Sequence, residues 1–197
     1  MRRRSRARRW ALPPVRSVAG ERVLPTAARI LGLDPGSLVT GYAVIECTGG
    51  AATYLTSGSI RTSGENFPER LAQIFQSATQ LAQEWQPHEV AVERVFMHRN
   101  ADSALKLGQA RGAALCGMFS GTARVFEYSP REVKQAVVGT GAAQKEQVQM
   151  MVKHLLKLSG EVKADAADAL AIALCHANMR RMQNLLVGAR QLAGVAR

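Results

Sequence analysis

The chain has 197 residues, of which 47% are hydrophobic and 21% charged, and its 26 lysines and arginines against 15 acids give a formal net charge of +11. This length suits one α/β domain with a full hydrophobic core and is short for two. The excess of cations fits a polyanionic partner such as nucleic acid without proving one. Because no run of about 18 apolar residues occurs, we expect no membrane-spanning helix.

The first 28 residues are the most basic part of the chain. They contain eight arginines and one glutamate, so seven of the eleven net positive charges lie there and four are left for the rest. They lack the apolar core of a secretory signal, although the arginines superficially suit an organelle transit peptide. We expect residues 1–28 to be a disordered extension or the product of a start codon assigned too early, with phosphate binding as the alternative. Residues 29–197 then form the domain, with a helical tail from about residue 179.

The cysteines are scattered and form no C-x-x-C pair. We interpret Cys47, Cys116 and Cys175 as reduced core residues of an intracellular protein, neither disulfide-bonded nor metal-bound. Three histidines also have no partner at metal-binding spacing and are expected on the surface or packed: His98, His154 and His176.

Three strand-like segments open the domain. They read ARILGLDPG, GYAVIEC and TYLTSGSIRT, and Gly49 and Gly50 join the last two. Such short links predict a meander. Apolar residues then recur at helical spacing between Pro68 and Pro87, which predicts an amphipathic helix with this face: Leu71, Ile74, Phe75, Ala78, Leu81, Ala82 and Trp85.

Strands and helices alternate in the second half. The segment EVAVERVF is a buried strand interrupted by Glu93, a small-residue helix begins at Asn100, and ARVFEYS is a fifth strand. Ser129 and Glu132 form a capping box around Pro130, which predicts a further helix start. Another amphipathic helix has the apolar face Val148, Met151, Val152, Leu155 and Leu156. We therefore predict an α/β fold, a mixed five-stranded sheet flanked by helices.

The final helix contains two unexpected charges. The stretch KADAADALAIA, residues 163–173, places Asp165 and Asp168 on one face of a helix that otherwise looks buried, where an acid is costly unless a cation meets it. Asp34 ends the first strand and Glu93 interrupts the fourth. If strands one and four are neighbours, the four carboxylates converge at one end of the sheet. Such oxygen ligands suit Mg²⁺ or Mn²⁺, and two ions about 4 Å apart can clamp a phosphodiester.

Each acid also has a simpler explanation. Asp34 before Pro-Gly can be a turn residue, and Asp165 can be a favourable charge in a helix's first turn. Glu93 can face solvent at a strand edge. The metal hypothesis is more specific because it explains all four acids together.

Several segments resemble the successive motifs of the bacterial RuvC Holliday-junction resolvases, in the family's order and spacing. They are ILGLDPGSLVTGYAVIE, VAVERVFMHRNADSALKLGQARG, FEYSPREVKQAVVGTGAAQKEQVQMMV and ADAADALAIALCHA, and the likeness runs from about Arg29 to Asn178. The resemblance implies an RNase H-like fold and a homodimer that binds a four-way DNA junction and nicks two opposed strands symmetrically. It also implies that the protein acts in homologous recombination and DNA repair in the bacterial cytoplasm, with the RuvA and RuvB branch-migration proteins as partners.

The resemblance also implies roles for particular residues. Asp34, Glu93, Asp165 and Asp168 match the catalytic and metal-binding carboxylates, which implies Mg²⁺, plausibly two ions, with Mn²⁺ as a substitute.

Three further residues match positions that engage DNA in the family. Phe96 corresponds to an aromatic that contacts bases at the junction centre, and Lys134 and Lys145 correspond to basic residues near the scissile phosphate. From the residues alone, Phe96 is more simply explained as a core residue and the two lysines as solvated surface. Arg94 departs from the pattern, because many members have glutamine there, and residues 1–28 have no family counterpart.

The sequence therefore predicts a Mg²⁺-dependent, structure-selective DNA endonuclease. One rival is an ATPase of the actin and sugar-kinase type, which LGLDPGSLVTGYAV resembles weakly, but those proteins need two such domains. The other rival is a non-catalytic junction-binding protein. Its mark would be a lost carboxylate, and all four are present.

Overall fold

The computed structural model describes residues 25–94, 100–119, 121 and 123–195, with side-chain exposure described up to residue 190. This part of the chain contains one five-stranded sheet and five helices. The strands are β1 (Ala27–Asp34), β2 (Val39–Thr48), β3 (Ala51–Arg61), β4 (Glu89–Glu93) and β5 (Arg124–Tyr128). The helices are α1 (Phe67–Trp85), α2 (Ala101–Met118), α3 (Pro130–Val138), α4 (Lys145–Leu155) and α5 (Ala164–Val195).

The sheet has the order β3-β2-β1-β4-β5. The first three strands form the predicted antiparallel meander, and the two-residue turn between β2 and β3 has positive φ at Gly49 (59°) and Gly50 (89°), as a type I′ hairpin requires. β4 lies parallel to β1, and β5 lies parallel to β4. The prediction that strands one and four are neighbours is confirmed, as is the mixed five-stranded sheet flanked by helices.

The helices cover both faces of the sheet. On one face α1 and α2 pack against a cluster that includes Leu31, Val44 and Val92. On the other face α3, α4 and α5 pack against a cluster that includes Ile30, Ile45 and Ala91. Alternate residues of the central strands therefore serve two cores, which explains why those strands read as continuous apolar runs.

Two glycines let α5 lie directly on the sheet. A Cβ added at Gly32 would fall 2.2 Å from the carbonyl oxygen of Ala169, and one at Gly41 would fall 2.1 Å from that of Asp165. Real Cβ atoms do not approach an oxygen that closely, so only glycine fits there. This contact positions the start of α5 over the β1–β2 hairpin.

The predicted helix starts are confirmed. The Asn100 side chain accepts from the backbone at the start of α2, and the Ser129–Glu132 capping box opens α3. Hydrogen bonding from the Ser129 backbone lowers the pKa of Glu132, as expected for a carboxylate that caps a helix.

Several details differ from the sequence predictions. Cys116 is exposed although Cys47 and Cys175 are buried as expected, because α2 turns only one side to the sheet. Phe75 and Leu155, assigned to apolar faces, are 44% and 42% exposed because they lie at the margins of those faces. The first strand begins at Ala27, two residues before the expected domain boundary.

The ends of the chain need separate mention. Residues 179–195 continue α5 without a break. The expectation of disorder for the basic extension falls largely on residues 1–24, which lie outside the described residues. Among the helices that are described, none is long and apolar enough to cross a membrane.

Candidate active site

The two strand acids lie at the same edge of the sheet. Asp34 is the last residue of β1 and Glu93 is the last residue of β4. These strands are parallel neighbours, with Leu33 paired to Val92, so their carboxyl ends meet. The topology alone therefore brings two acids together that are 59 positions apart in sequence.

The third acid arrives from α5. Gly41 pairs with Asp34 across the β1–β2 hairpin, and the backbone of Asp165 lies directly against Gly41. Asp168, one turn further along α5, lines the same cleft as Asp34 and Glu93. The close packing at Gly41 thus brings the first turn of α5 to the edge of the sheet where Asp34 and Glu93 lie.

The resulting cleft has a volume of about 350 Å³ and combines acids with cations. Lys134 from α3 and Lys145 from α4 line it beside the three carboxylates. The remaining lining residues are Pro130, Val133, Val148 and Ala171. Apolar walls of this kind lower the local dielectric, which strengthens every charge interaction inside the cleft.

Asp34 carries the clearest electrostatic signal of the site. Burial raises the pKa of its carboxyl to about 7, and the charges of Asp168 and Glu93 push in the same direction while Lys145 opposes them. The pKa of Glu93 is also raised, first by burial and then by Asp168, with Lys134 acting in the opposite sense. Burial and mutual repulsion both oppose ionisation of these acids, and a bound cation would favour their charged forms.

Two basic side chains meet the acids of α5. The Lys145 ammonium donates to Asp168 Oδ2 at 2.7 Å, and this hydrogen bond is the main reason that the pKa of Lys145 is raised. Arg61, at the end of β3, lies 3.7 Å from Asp165 Oδ2. The charges that looked out of place in the helix are therefore met by cations from other elements.

Only some of the predicted site residues line the cleft. Asp34, Glu93, Asp168, Lys134 and Lys145 share the cleft. Asp165 is not among the cleft-lining residues, and its carboxylate faces Arg61, although its charge still contributes to the raised pKa of Asp34. Phe96 lies outside the described residues.

The donor set fits a hard divalent cation in its chemistry. Carboxylate oxygens are the ligands that Mg²⁺ and Mn²⁺ prefer, and a bound cation would relieve the repulsion that raises the pKa of Asp34. Within the described part of the chain, however, no three acidic, histidine or cysteine side chains are arranged as a ready site for one ion. Asp168 is engaged by Lys145 and Asp165 by Arg61, so ion binding would require these pairs to open.

Sequence reasoning missed several residues that shape the site. Arg61 pairs with Asp165, and Arg111 of α2 donates to the backbone carbonyl of Glu93 at 3.3 Å. Thr40 is fully buried and hydrogen-bonds both the amide and the carbonyl of Gly36, which holds the loop after Asp34. A lone arginine or threonine carries no periodic signal, whereas Gly41 inside a strand was a usable sign of close backbone approach.

Sheet order, crossovers and acids at the carboxyl ends of neighbouring strands together define an RNase H-like domain with an acidic centre of the nuclease type. A family model described as "Crossover junction endodeoxyribonuclease RuvC" matches residues 30–176. The chain therefore belongs to the RuvC family. Membership makes it a crossover junction endodeoxyribonuclease, a nuclease that depends on a metal ion.

Individual relatives agree with this assignment. The chain is 58% identical to the crossover junction endodeoxyribonuclease RuvC of Shewanella sp. (strain ANA-3) over 149 residues, which are 76% of this chain and 86% of that protein. Among solved structures, Thermus thermophilus RuvC in complex with a Holliday junction substrate superposes with a TM-score of 0.74 at 36% identity, covering 80% of this chain and 97% of that one. The yeast mitochondrial Holliday junction resolvase Ydc2 shares the fold, with a TM-score of 0.63 at 14% identity over 82% of this chain and 84% of its own.

Proposed function

We propose that this chain resolves four-way DNA junctions by paired nicks, with Asp34, Glu93, Asp165 and Asp168 holding two Mg²⁺ ions that Mn²⁺ can replace. The observation that carries the proposal is the cleft in which Asp34, Glu93 and Asp168 gather beside two lysines, with the pKa of Asp34 raised to about 7. A cluster of like charges that the fold leaves under-compensated is unfavourable for stability and is typical of a functional site.

The ions, once bound, would supply electrostatic stabilisation for in-line attack of water on a phosphodiester. The chain's own residues prepare that step. Asp34 has to give up its proton before it can serve as a ligand, because a carboxyl with a pKa of about 7 is largely protonated in mildly acidic solution. Glu93 has a raised pKa from the same kind of environment.

The two lysines of the cleft are suited to the phosphate. Lys145 is 54% exposed and held by Asp168, so a DNA phosphate can compete for its ammonium once Asp168 turns to a cation. Lys134 is close enough to Glu93 to lower its pKa. In the proposal both ammonium groups neutralise charge that develops on the phosphate in the transition state.

The proposed four-way junction substrate also bears on the oligomeric state of the protein. Two symmetric cuts need two sites related by a twofold axis, which supports a homodimer. In the same proposal Phe96 stacks on bases at the junction centre, and the dimer acts with the RuvA and RuvB branch-migration proteins in the bacterial cytoplasm. The relatives with the printed name RuvC come from bacteria, which supports the bacterial setting of the proposal.

The decisive experiment incubates the purified protein with synthetic mobile and immobile four-way junctions. We expect paired nicks with Mg²⁺ or Mn²⁺, none with a chelator, and none on a linear duplex of the same sequence. Asp34→Asn should bind the junction and fail to nick it. Asp102→Asn is the matched control, because Asp102 is an exposed acid of α2 paired with Lys106 outside the cleft. Full cleavage by Asp34→Asn would refute the assignment of the site.

The assembly has its own test. Light scattering during size-exclusion chromatography should give twice the chain mass for the species that nicks the junction. An active species of single-chain mass would rule out the symmetric mechanism while leaving the chemistry of the cleft intact.

A further inference from the structure

A second cluster of charged groups lies at the opposite end of β4 from the cleft. Its centre is Glu89, whose side chain is 1% exposed. Arg124 of β5 and Arg180 of α5 each place a guanidinium nitrogen 2.6 Å from a Glu89 carboxylate oxygen, and His176 Nε2 of α5 lies 2.9 Å away. The catalytic proposal makes no use of these groups.

The cluster extends beyond Glu89 on both sides. His176 Nδ1 lies 2.6 Å from the Tyr128 hydroxyl, and its ring centroid lies 4.3 Å from that of Phe126. Arg180 also donates to the carbonyl of Pro25 at 2.8 Å. The middle of α5 is therefore tied to β4, to β5 and to the segment that precedes β1.

The charge at Glu89 is fully compensated. Burial opposes its ionisation, but the hydrogen bond from His176 and the charges of Arg180 and Arg124 outweigh burial and lower its pKa. Breaking the contacts of such a buried carboxylate is expensive, and its hydrogen bonds to His176 and Arg124 are directional. Buried polar groups are best known for specifying register, which alanine-rich surfaces specify poorly.

The surface between the two charged clusters is such an alanine-rich surface. Ala169 and Ala173 of α5 meet Gly32 of β1 at close range. The buried small residues of this stretch of α5 are Ala166, Ala167, Ala169, Ala171 and Ala173. The alanines allow a close approach of backbone to backbone, and Leu170, Ile172 and Leu174 of the same stretch are buried in the core beside them. These apolar contacts are non-directional, whereas hydrogen bonds to a buried charge are directional.

The two elements have matching spans. Asp168 and His176 are eight residues apart on α5, which is about 12 Å of helix rise. Glu89 and Glu93 are four residues apart on β4, which is about 13 Å of strand. A contact between His176 and Glu89 at one end thus sets Asp168 opposite Glu93 at the other.

We propose that Glu89, His176 and Arg180 form a register pin, which fixes the position of α5 along β4 and so sets the separation of Asp168 and Glu93. This inference rests on the proposed function of the cleft. The three are positioning residues: they act through α5 and β4, and touch neither substrate nor ion.

The test compares the two halves of the cluster in the full-length protein. His176→Phe combined with Arg180→Met releases α5 and leaves Glu89 paired with Arg124. Arg124→Met is the matched control, because it removes one ion pair of Glu89 from the β5 side, where the strand ladder already sets the register. Both variants should unfold at lower temperature than the wild-type protein.

Only the α5 variant should disturb the distant cleft. We expect its affinity for Mn²⁺, measured by electron paramagnetic resonance without DNA, to fall about 10–100-fold, the usual range for groups that orient ligands. Its single-turnover cleavage rate should fall by a similar factor and recover partly at high Mn²⁺, while the junction Kd stays within about twofold because the DNA surface is unchanged. Arg124→Met should keep the Mn²⁺ affinity and the cleavage rate of the wild-type protein.

Two outcomes separate this inference from the proposed function. A crystal structure of the α5 variant should show α5 displaced along its axis, and this holds whether or not the wild-type protein binds Mn²⁺. Unchanged α5 position and unchanged Mn²⁺ affinity in that variant would overturn the register pin, whereas failure of the wild-type protein to bind Mn²⁺ and nick junctions would overturn the proposed function. If the double variant does not fold, the single variant His176→Phe is tested in its place. His176→Gln should then restore the Mn²⁺ affinity, because its amide can still donate to Glu89.

Discussion

β4 has a glutamate at each end, and the charged surroundings of the two glutamates are opposite. At the amino end Glu89 is surrounded by two arginines and a histidine, and its pKa is lowered. At the carboxyl end Glu93 shares a cleft with two more acids, and its pKa is raised. Glu89 therefore stabilises the fold at one end of β4, whereas the charge of Glu93 at the other end is incompletely balanced. The contrast is what is expected if Glu93 belongs to a functional site, where stability is given up for chemistry.

The largest expected effect comes from removing the charge at the cleft. Glu93→Gln should lower the single-turnover cleavage rate by about 10³-fold or more, as for loss of an essential electrostatic group in a low-dielectric site. Thermal unfolding of the metal-free variant should occur at or above the wild-type temperature, since repulsion with Asp168 is removed. Cleavage within tenfold of wild type would contradict the role of Glu93, and Asp102→Asn serves as the control.

The same glutamate-to-glutamine substitution at the amino end of β4 should lower the stability of the fold. Glu89→Gln leaves Arg180 and Arg124 without their buried anion, and breaking such a pair costs about 3–5 kcal/mol. Denaturant unfolding should therefore show a lower free energy of unfolding. A loss below about 1 kcal/mol would show that the ion pairs at Glu89 do not stabilise the fold.

A side chain added between the sheet and the first turn of α5 should have a smaller effect on stability. Gly41→Ala places a Cβ against the Asp165 carbonyl, and overpacking of this kind costs about 1–3 kcal/mol. Gly188→Ala, in α5 itself, is the control, because its Cβ would meet no described atom within 4 Å and alanine favours a helix by up to about 1 kcal/mol. Chemical denaturation measures both, and equal stability of the two variants would contradict the close contact.

The last expected effect is on pH dependence. Because the folded pKa of Asp34 is about 7, above its ordinary value of 3.8, the unfolded chain loses this proton first. The metal-free protein should therefore lose stability as pH rises from about 4 to 7. Since Mn²⁺ has to displace the same proton, its affinity should rise up to about tenfold per pH unit below pH 7 and level off above it.

Calorimetry in buffers of different ionisation enthalpy checks this linkage. We expect release of about one proton per protein when Mn²⁺ binds at pH 6, and little release at pH 8. Asp102→Asn should give the wild-type profile. An affinity that does not change between pH 5.5 and 7 would contradict the raised pKa of Asp34.

Local signals were sufficient for most of the elements. The glycine pair at 49–50, the capping box at Ser129 and the asparagine at 100 are short-range features, and the structure has the predicted turn and helix starts at each. The exposed Cys116 was predicted wrongly, because which side of a small-residue helix faces the core depends on its partner.

Glu89 was overlooked for a related reason. In the sequence it stands just before the apolar run of β4 and looks like an ordinary boundary residue. Its partners Arg124, His176 and Arg180 are between 35 and 91 positions away, so no local pattern identifies them. No local pattern identifies Arg61 either, because its partner Asp165 is far away in the sequence.

The sequence by itself determined the strand and helix order and the four acids, because backbone preferences and apolar periodicity act over a few residues. The tertiary structure decided which acids share a cleft, which cations meet them, and that Asp165 faces Arg61 while Asp168 faces Lys145. Those outcomes depend on distances between elements far apart in the chain. Such distances are set by how closely α5 packs on Gly32 and Gly41 and by the charges buried at its middle.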